Sequence, residues 1–283
     1  MKPCMTCGPV ASFALTPAPD HRRQGRDIGG HMFEVSGEVL ALLLAAAFAA
    51  GFVDSIAGGG GLITVPVLLL AGADPVTALA TNKLQGLFGA GSAAISYARA
   101  GQVTLSRQIT PALIAFAAAI AGALLTSRLP TDVIRLGLPI LLIGIAAFFA
   151  FKPGLTDIDR VRRVTPALFA ITLVPLIGFY DGLMGPGAGA FYMLGFVALA
   201  RFGVLKATAH TKLLNFASNL GGMLAFSLVA TPWWITGLAM GAAQIAGATL
   251  GSRLAVRAGA RLIKPLLVVT STALALLLIW QTV

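Results

Sequence analysis

Four charged residues stand inside strings that are otherwise apolar. Lys83 and Lys212 each lie several residues from either end of an apolar run, and Asp54 and Asp181 each sit just before a glycine-rich break. In hydrocarbon such a charge costs at least ~2.5–3.5 kcal/mol, so it is paired or it lines a polar cavity. Two chemistries are open for the lysines. They could be neutralised in ion pairs, for instance Asp54 with Lys83 and Asp181 with Lys212, or they could present positive charge to an anion. Asn82 and Gln85 flank one lysine, and Thr211 and Asn215 the other, which points to a wet or hydrogen-bonded face. Thr208, Thr211, Lys212, Asn215 and Asn219 recur at spacings of three and four and so share one helix face. The corresponding face of the other half is Lys83, Gly86 and Ala90, with Asn82 beside it. Amides and hydroxyls donate hydrogen bonds while lysine supplies charge, a lining suited to a small oxyanion.

The breaks, Gly58–Gly61 and Gly185–Gly189, leave backbone amides free where helices are interrupted. The N-terminus of a following half-helix carries partial positive charge and attracts anions. The candidate substrate ligands are therefore Lys83, Lys212, Asn82, Thr211, Asn215, Gly59, Gly60, Gly61, Gly187 and Ala188. Asp54 and Asp181 are either proton or cation couplers or helix caps. His210, the one histidine of the apolar portion, is a third coupling candidate, with a hydrogen-bonded structural role as the alternative.

These residues belong to a duplication. Gly51-Phe52-Val53-Asp54 returns as Gly178-Phe179-Tyr180-Asp181, and Thr81-Asn82-Lys83 as His210-Thr211-Lys212. Ile120-Ala121-Gly122-Ala123 returns as Ile245-Ala246-Gly247-Ala248, and Ser127-Arg128-Leu129 as Ser252-Arg253-Leu254. The offset stays between 125 and 129 residues. Matched acids and lysines in apolar repeats are the mark of a repeat-built membrane transporter.

The elements that must position them are helices in lipid. Of the 283 residues 57% are hydrophobic and 11% charged, with mean hydropathy +0.89. A soluble domain carries about 25% charged residues. The long continuous apolar runs exclude a barrel, whose strands would alternate with polar residues. The runs fall at about 39–57, 62–72, 77–98, 109–127 and 136–151, then 165–184, 187–200, 207–230, 233–252 and 264–281. A full span needs roughly 20 residues. The 62–72 and 187–200 runs fall short or are marginal, and both directly follow a glycine break. Short segments at matching positions point to the binding site of a transporter.

The expected architecture is all-α and polytopic. Residues 1–31 read as a disordered extension, rich in Pro, Gly and Arg and without a signal core, and they hold both cysteines, Cys4 and Cys7. The first transmembrane repeat spans 32–151, a cytoplasmic linker 152–164, and the second repeat 165–283. Five crossings per half would invert the halves relative to each other. With the linker inside, the cytoplasmic loops hold twelve basic residues (Arg99, Arg107, Lys152, Arg160, Arg162, Arg163, Arg201, Lys206, Arg253, Arg257, Arg261 and Lys264), against Arg128 and Arg135 outside. The positive-inside rule favours that arrangement. The arginines of the 1–31 tail count against it, and a chain starting at Met32 would remove the objection. Tyr97, Tyr180, Trp233, Trp234 and Trp280 fall near run ends, the place of an aromatic belt, and of these Tyr180 also neighbours the site.

The net charge of +10 is explained by loop topology, so nucleic acid is not an expected partner. No His or Cys set at metal-ligand spacing is present beyond the tail, and neither GxxxxGK[ST], HExxH nor GxSxG occurs. No cofactor, metal or enzyme activity is expected.

The strings Gly51-Phe52-Val53-Asp54-Ser55-Ile56-Ala57-Gly58-Gly59-Gly60-Gly61, Ala80-Thr81-Asn82-Lys83-Leu84-Gln85, Gly178-Phe179-Tyr180-Asp181-Gly182 with Gly185-Pro186, and Lys206-Ala207-Thr208-Ala209-His210-Thr211-Lys212-Leu213-Leu214-Asn215 resemble the TauE/SafE sulfite exporter family. The resemblance covers about 35–283 and leaves out the tail. It implies a multi-pass inner-membrane transporter of small sulfur-containing anions, sulfite or organosulfonates, often an exporter; with the two halves meeting at one site, alternating access is the expected mechanism. The rival readings are an anion channel and a carrier of another small organic anion. The lipid bilayer is the expected environment, and a homo-oligomer is open.

Overall fold

The fold is given by a computed structural model that describes residues 33–126, 128, 158, 163–259, 261–263, 265, 266 and 269. The 1–31 extension, the 136–151 run, nearly all of the 264–281 run and most of the 152–164 linker lie outside the described residues.

The described chain folds into helices bounded by identifiable caps. Helix α1 (Gly37–Ala57) starts after Ser36 and carries Glu38 in its first turn, where the helix dipole favours an acid. It stops at Gly58, whose φ of +83° a side chain rarely adopts. Helix α2 (Gly61–Leu70) follows after three residues. Helix α3 (Pro75–Arg99) is capped by the Asp74 carboxylate, which accepts from the Val76 and Thr77 amides, and Pro75 fits its first position. A single 3₁₀ turn, Leu105–Gln108, leads into α4 (Ile109–Thr126).

The later helices follow in a similar order of lengths. Helix α5 (Pro166–Leu183) has Thr165 as its cap, accepting from the Leu168 amide, and proline again comes first. A break at Met184–Gly187 precedes the short α6 (Ala188–Ala198), whose cap residue Gly187 has φ +86°. Helices α7 (Val204–Val229) and α8 (Trp234–Ala258) complete the described set. The two short runs of the sequence are thus short helices of 10 and 11 residues.

Three helices, α1, α4 and α5, are long and apolar enough to cross a membrane by length and composition. Helices α3, α7 and α8, at 25, 26 and 25 residues, are longer still. At ~1.5 Å per residue they exceed the ~30 Å hydrocarbon core. Their lower hydropathy has a structural cause: they carry the buried polar residues, Asn82, Lys83 and Gln85 on α3, Thr211, Lys212, Asn215 and Asn219 on α7, and Gln244 on α8.

The halves interleave. Helix α1 packs along α8 and α5 along α4; α3 packs along α8 and α7 along α4; α3 and α7 also pack on each other. Small residues set the distances. A Cβ at Gly247 would lie 2.1 Å from the Phe48 carbonyl oxygen, and one at Gly122 would lie 2.0 Å from that of Phe179. In lipid, helix association rests on such close approach rather than on expelling water.

Candidate functional site

The two glycine breaks touch. A Cβ at Gly58 would lie 2.7 Å from the Ala190 nitrogen and 2.8 Å from the Gly189 carbonyl carbon, and one at Gly61 would lie 3.3 Å from the Pro186 Cα. The two chain segments therefore meet backbone to backbone, at the N-terminal ends of α2 and α6. Tight turns take most of the first-turn amides, Leu62 to Gly59, Ile63 to Gly60, Ala188 to Gly185 and Ala190 to Gly187, so the Gly61 and Gly189 N–H groups are the ones that each end offers to the space between. Tyr180 braces the second break by donating its hydroxyl to the Pro186 carbonyl.

Between the breaks lies a cavity of about 30 Å³. That is room for one or two waters. Its walls are Gly59–Gly61 from one break and Gly185 with Gly187–Gly189 from the other. Asn82 and Gly86 of α3, Asn215 and Asn219 of α7, Gln244 of α8 and the two acids Asp54 and Asp181 close it.

The acids and lysines pair across the halves. Lys83 donates to Asp181 Oδ1, and Lys212 donates to Asp54 Oδ2 at 3.0 Å and to the Asp54 backbone carbonyl. The pairing suggested from sequence, Asp54 with Lys83 and Asp181 with Lys212, is therefore replaced by the crossed one. The reason is the interleaving: α3 and α7 each run past the other half's break. Both lysines are buried (1% and 0% exposed), as is Asp181, while the Asp54 side chain retains 14%. The second oxygens differ. Asp54 Oδ1 accepts from the Gly60 amide at 3.1 Å, so this acid caps the α2 end. Asp181 Oδ2 accepts instead from the Ser218 hydroxyl.

The amides are oriented by their neighbours. Asn82 Oδ1 accepts from Thr64 Oγ1 at 2.7 Å and from Gln85 Nε2 at 3.3 Å, which leaves its NH₂ group turned to Gly61. Asn215 turns its NH₂ group to Gly189. Asn219 spends its own NH₂ on the Asn215 carbonyl at 2.8 Å. Two side-chain amide donors thus stand beside two helix N-termini. Such a set supplies hydrogen-bond donors suited to a small oxyanion.

Of the residues expected from sequence, Gly59, Gly60, Gly61, Gly187, Ala188, Asn82, Asn215, Asp54 and Asp181 come together at this cavity. Lys83 and Lys212 stand one layer behind, each masked by its carboxylate. Thr211 is buried without lining the cavity, and its Oγ1 has no partner among the described residues. His210 is elsewhere: with Gln108, Lys206 and Phe202 it lines a second cavity of about 520 Å³, and its Nδ1 bonds the Gln108 amide. Tyr97, expected in the aromatic belt, is fully buried and donates to the Ser55 carbonyl at 2.8 Å, because α3 presses it behind the first break. Sequence reasoning missed Gln244 and Ser218. Gln244 could have been found as the sole amide in the 233–252 run. Its Oε1 is buried and unpartnered among the described residues. Ser218 carries no pattern that separates it from a packing serine.

Comparison with known proteins places these residues in a wider set. The model of the family described as "Sulfite exporter TauE/SafE" matches residues 43–278. "Probable membrane transporter protein ORF9" of a Sinorhizobium species is 56% identical over 248 residues, 88% of this chain and 95% of that protein. "Probable membrane transporter protein YfcA" of Escherichia coli K12 is 45% identical over 251 residues, 89% of this chain and 93% of that one. A "Probable membrane transporter protein" of Haemophilus influenzae is 41% identical over 239 residues, 84% and 93% of the two chains. No solved structure matches.

Proposed function

The chain belongs to the TauE/SafE sulfite exporter family and is a multi-pass membrane transporter, and from that premise we propose that it moves small sulfur-containing anions of the sulfite and organosulfonate class by alternating access, as an exporter. The observation that carries the reading is the meeting of two half-helix N-termini and two amide donors at one cavity. Each half supplies one break and one amide-bearing helix, α3 or α7. The anion sits where Gly61, Gly189, Asn82 and Asn215 converge. Two pseudo-symmetric, inverted halves rock about that point.

The partner exchange among the helices supports the repeat: swapping the halves turns the α1–α8 contact into α5–α4, and α3–α8 into α7–α4. The small cavity supports a carrier over a channel, because a conducting pore needs a continuous wet path. The substrate class follows the family's name and the donor chemistry of the wall.

Counterflow in proteoliposomes tests it. Vesicles preloaded with unlabelled sulfite, isethionate or sulfoacetate should transiently concentrate the labelled anion from outside. Passive equilibration without counterflow would indicate a channel. Absence of flux for all three anions would overturn the substrate class.

A further inference from the structure

The cavity confronts an entering anion with the wrong charge. Both carboxylates of the crossed pairs line it, whereas neither lysine does. A second negative charge beside an ionised carboxylate at short range is repelled strongly in a poorly polarisable interior. One carboxylate must therefore be neutralised as the anion arrives, and the lysine it releases then becomes the counter-charge.

The hydrogen bonds single out which acid. Asp54 is held by donors that cannot reverse: the Lys212 ammonium and the Gly60 backbone N–H. A proton on Asp54 would forfeit one of these bonds. Asp181 faces the Lys83 ammonium on one oxygen and the Ser218 hydroxyl on the other. A hydroxyl both donates and accepts, so Ser218 can rotate and receive a hydrogen bond from the protonated acid. One further ionisable group shares this exchange: Tyr192 of α6 stands at the Ser218 hydroxyl as well as near Asp181. The described α4 carries no ionisable side chain, α6 carries only Tyr192, and Tyr180 neighbours Asp181 on α5. From α1 comes Asp54, and from α7 come Lys212, occupied by Asp54, and Lys206 and His210 at the other cavity.

We propose that Asp181 is the proton site of the transporter: one proton binds Asp181 as one anion binds, Ser218 switches from donor to acceptor, and the freed Lys83 becomes an anion ligand while the Asp54–Lys212 pair stays closed. Proton and anion then cross together, so net export draws on the anion's own outward gradient and runs against an inward proton gradient. No bond other than that to the proton is made or broken, and the net charge of the loaded site equals that of the empty one for a monovalent anion. This inference rests on the substrate class proposed above and adds the coupling to it.

Isothermal titration of the purified protein with isethionate, a sulfonate that stays ionised, tests it in buffers of different ionisation enthalpy. The expected slope of observed enthalpy against buffer enthalpy corresponds to one proton taken up per anion. The affinity should tighten by about tenfold for each unit fall in pH where that uptake is complete. Asp181→Asn, close in shape to the protonated acid, should bind without proton uptake and with a flat pH profile. Ser218→Ala keeps the carboxylate but removes the hydroxyl that donates to its ionised form, a charge-assisted bond stronger than the neutral one lost from the protonated form, so the onset of tight binding should move to higher pH, which a serine away from the carboxylate would not do. Binding of isethionate to the parent protein with no proton uptake overturns the inference and leaves the transport reading standing. So does uptake that persists in Asp181→Asn, or binding that requires sodium in place of protons. Failure of isethionate, sulfite and sulfoacetate to bind at acid and neutral pH overturns the substrate class, and this inference falls with it.

Discussion

At the scale of residues, the crossed ion pairs make a specific claim about coupling. Removing one partner of a buried pair leaves an uncompensated charge, at a cost of about 3–5 kcal/mol. Lys83→Met should therefore lower the melting temperature in detergent sharply, and adding Asp181→Asn should recover most of the loss. Adding Asp54→Asn to Lys83→Met should recover none. A double-mutant cycle read by thermal melting checks this, and coupling of Lys83 to Asp54 would show the pairing to be wrong. A second residue-scale prediction concerns Glu34, outside the membrane-spanning helices. Its carboxylate accepts from the Ile235 and Thr236 amides at 3.1 and 3.0 Å and from the Thr236 hydroxyl at 2.6 Å, so it caps the start of α8. Partial burial works to raise its pKa, but the bonds from Thr236, from its own backbone and from Ile235 outweigh that and hold it below the ordinary 4.5. A group whose pKa is lower folded than unfolded adds stability above the unfolded value and loses it as pH falls through the folded one. Melting temperature followed from neutral into acid pH should show a steeper fall below about 4.5 for the parent than for Glu34→Gln.

At the scale of elements, packing depends on glycines that admit a neighbouring backbone. Gly247 on α8 meets the Phe48 carbonyl of α1, and Gly122 on α4 meets that of Phe179 on α5. Leucine at either position should destabilise by at least ~1–3 kcal/mol, the usual cost of overpacking, and should lower the yield of monodisperse protein in size-exclusion chromatography. Normal yield and melting for both variants would mean the helices do not approach as described. Substitution at the breaks should act differently. Gly60→Val sets a side chain against Asp54, 2.8 Å from its Cβ, and should abolish counterflow while membrane insertion persists. The short helices, the breaks and the amide face of α7 were all legible in the sequence, because hydrophobic period and glycine clusters are local signals. The partners of Lys83 and Lys212 were not. Choosing between Asp54 and Asp181 requires knowing which helices cross, and that is fixed by long-range packing at glycines whose individual roles no local pattern distinguishes. Gln244 illustrates the same limit: its type was visible, but its direction depends on α8 lying between α1 and α3.

At the scale of the whole molecule, the described loops sort by end. Thr77 donates to the Thr231 carbonyl, and Glu34 caps α8, so the 34, 74–77 and 231–236 segments share one end. Gly101, Val164, Ala200 and Lys206 line one cavity at the other. Arg99, Arg163, Arg201 and Lys206 flank that second end, which the positive-inside rule assigns to the cytoplasm. Single cysteines at Ala100 and Thr231, each in a chain with Cys4 and Cys7 replaced by serine, check the assignment with an impermeant thiol reagent in intact cells. Thr231→Cys should react and Ala100→Cys should be protected until the membrane is opened; the reverse pattern would invert the protein.

The crossed pairing also makes each half depend on the other. A half-length chain would carry one acid and one lysine with no mate inside its own fold, and neither could remain in lipid alone. Two such halves side by side satisfy both charges reciprocally, so neither half could stay in lipid without the other. Within one chain the two pairs need not be alike. The residue six places past Lys212 is Ser218, which now touches Asp181, whereas the residue six places past Lys83 is Gly89, which cannot reach an acid at all. The two pairs are thus unequal, one built as a fixed strut and the other able to change state.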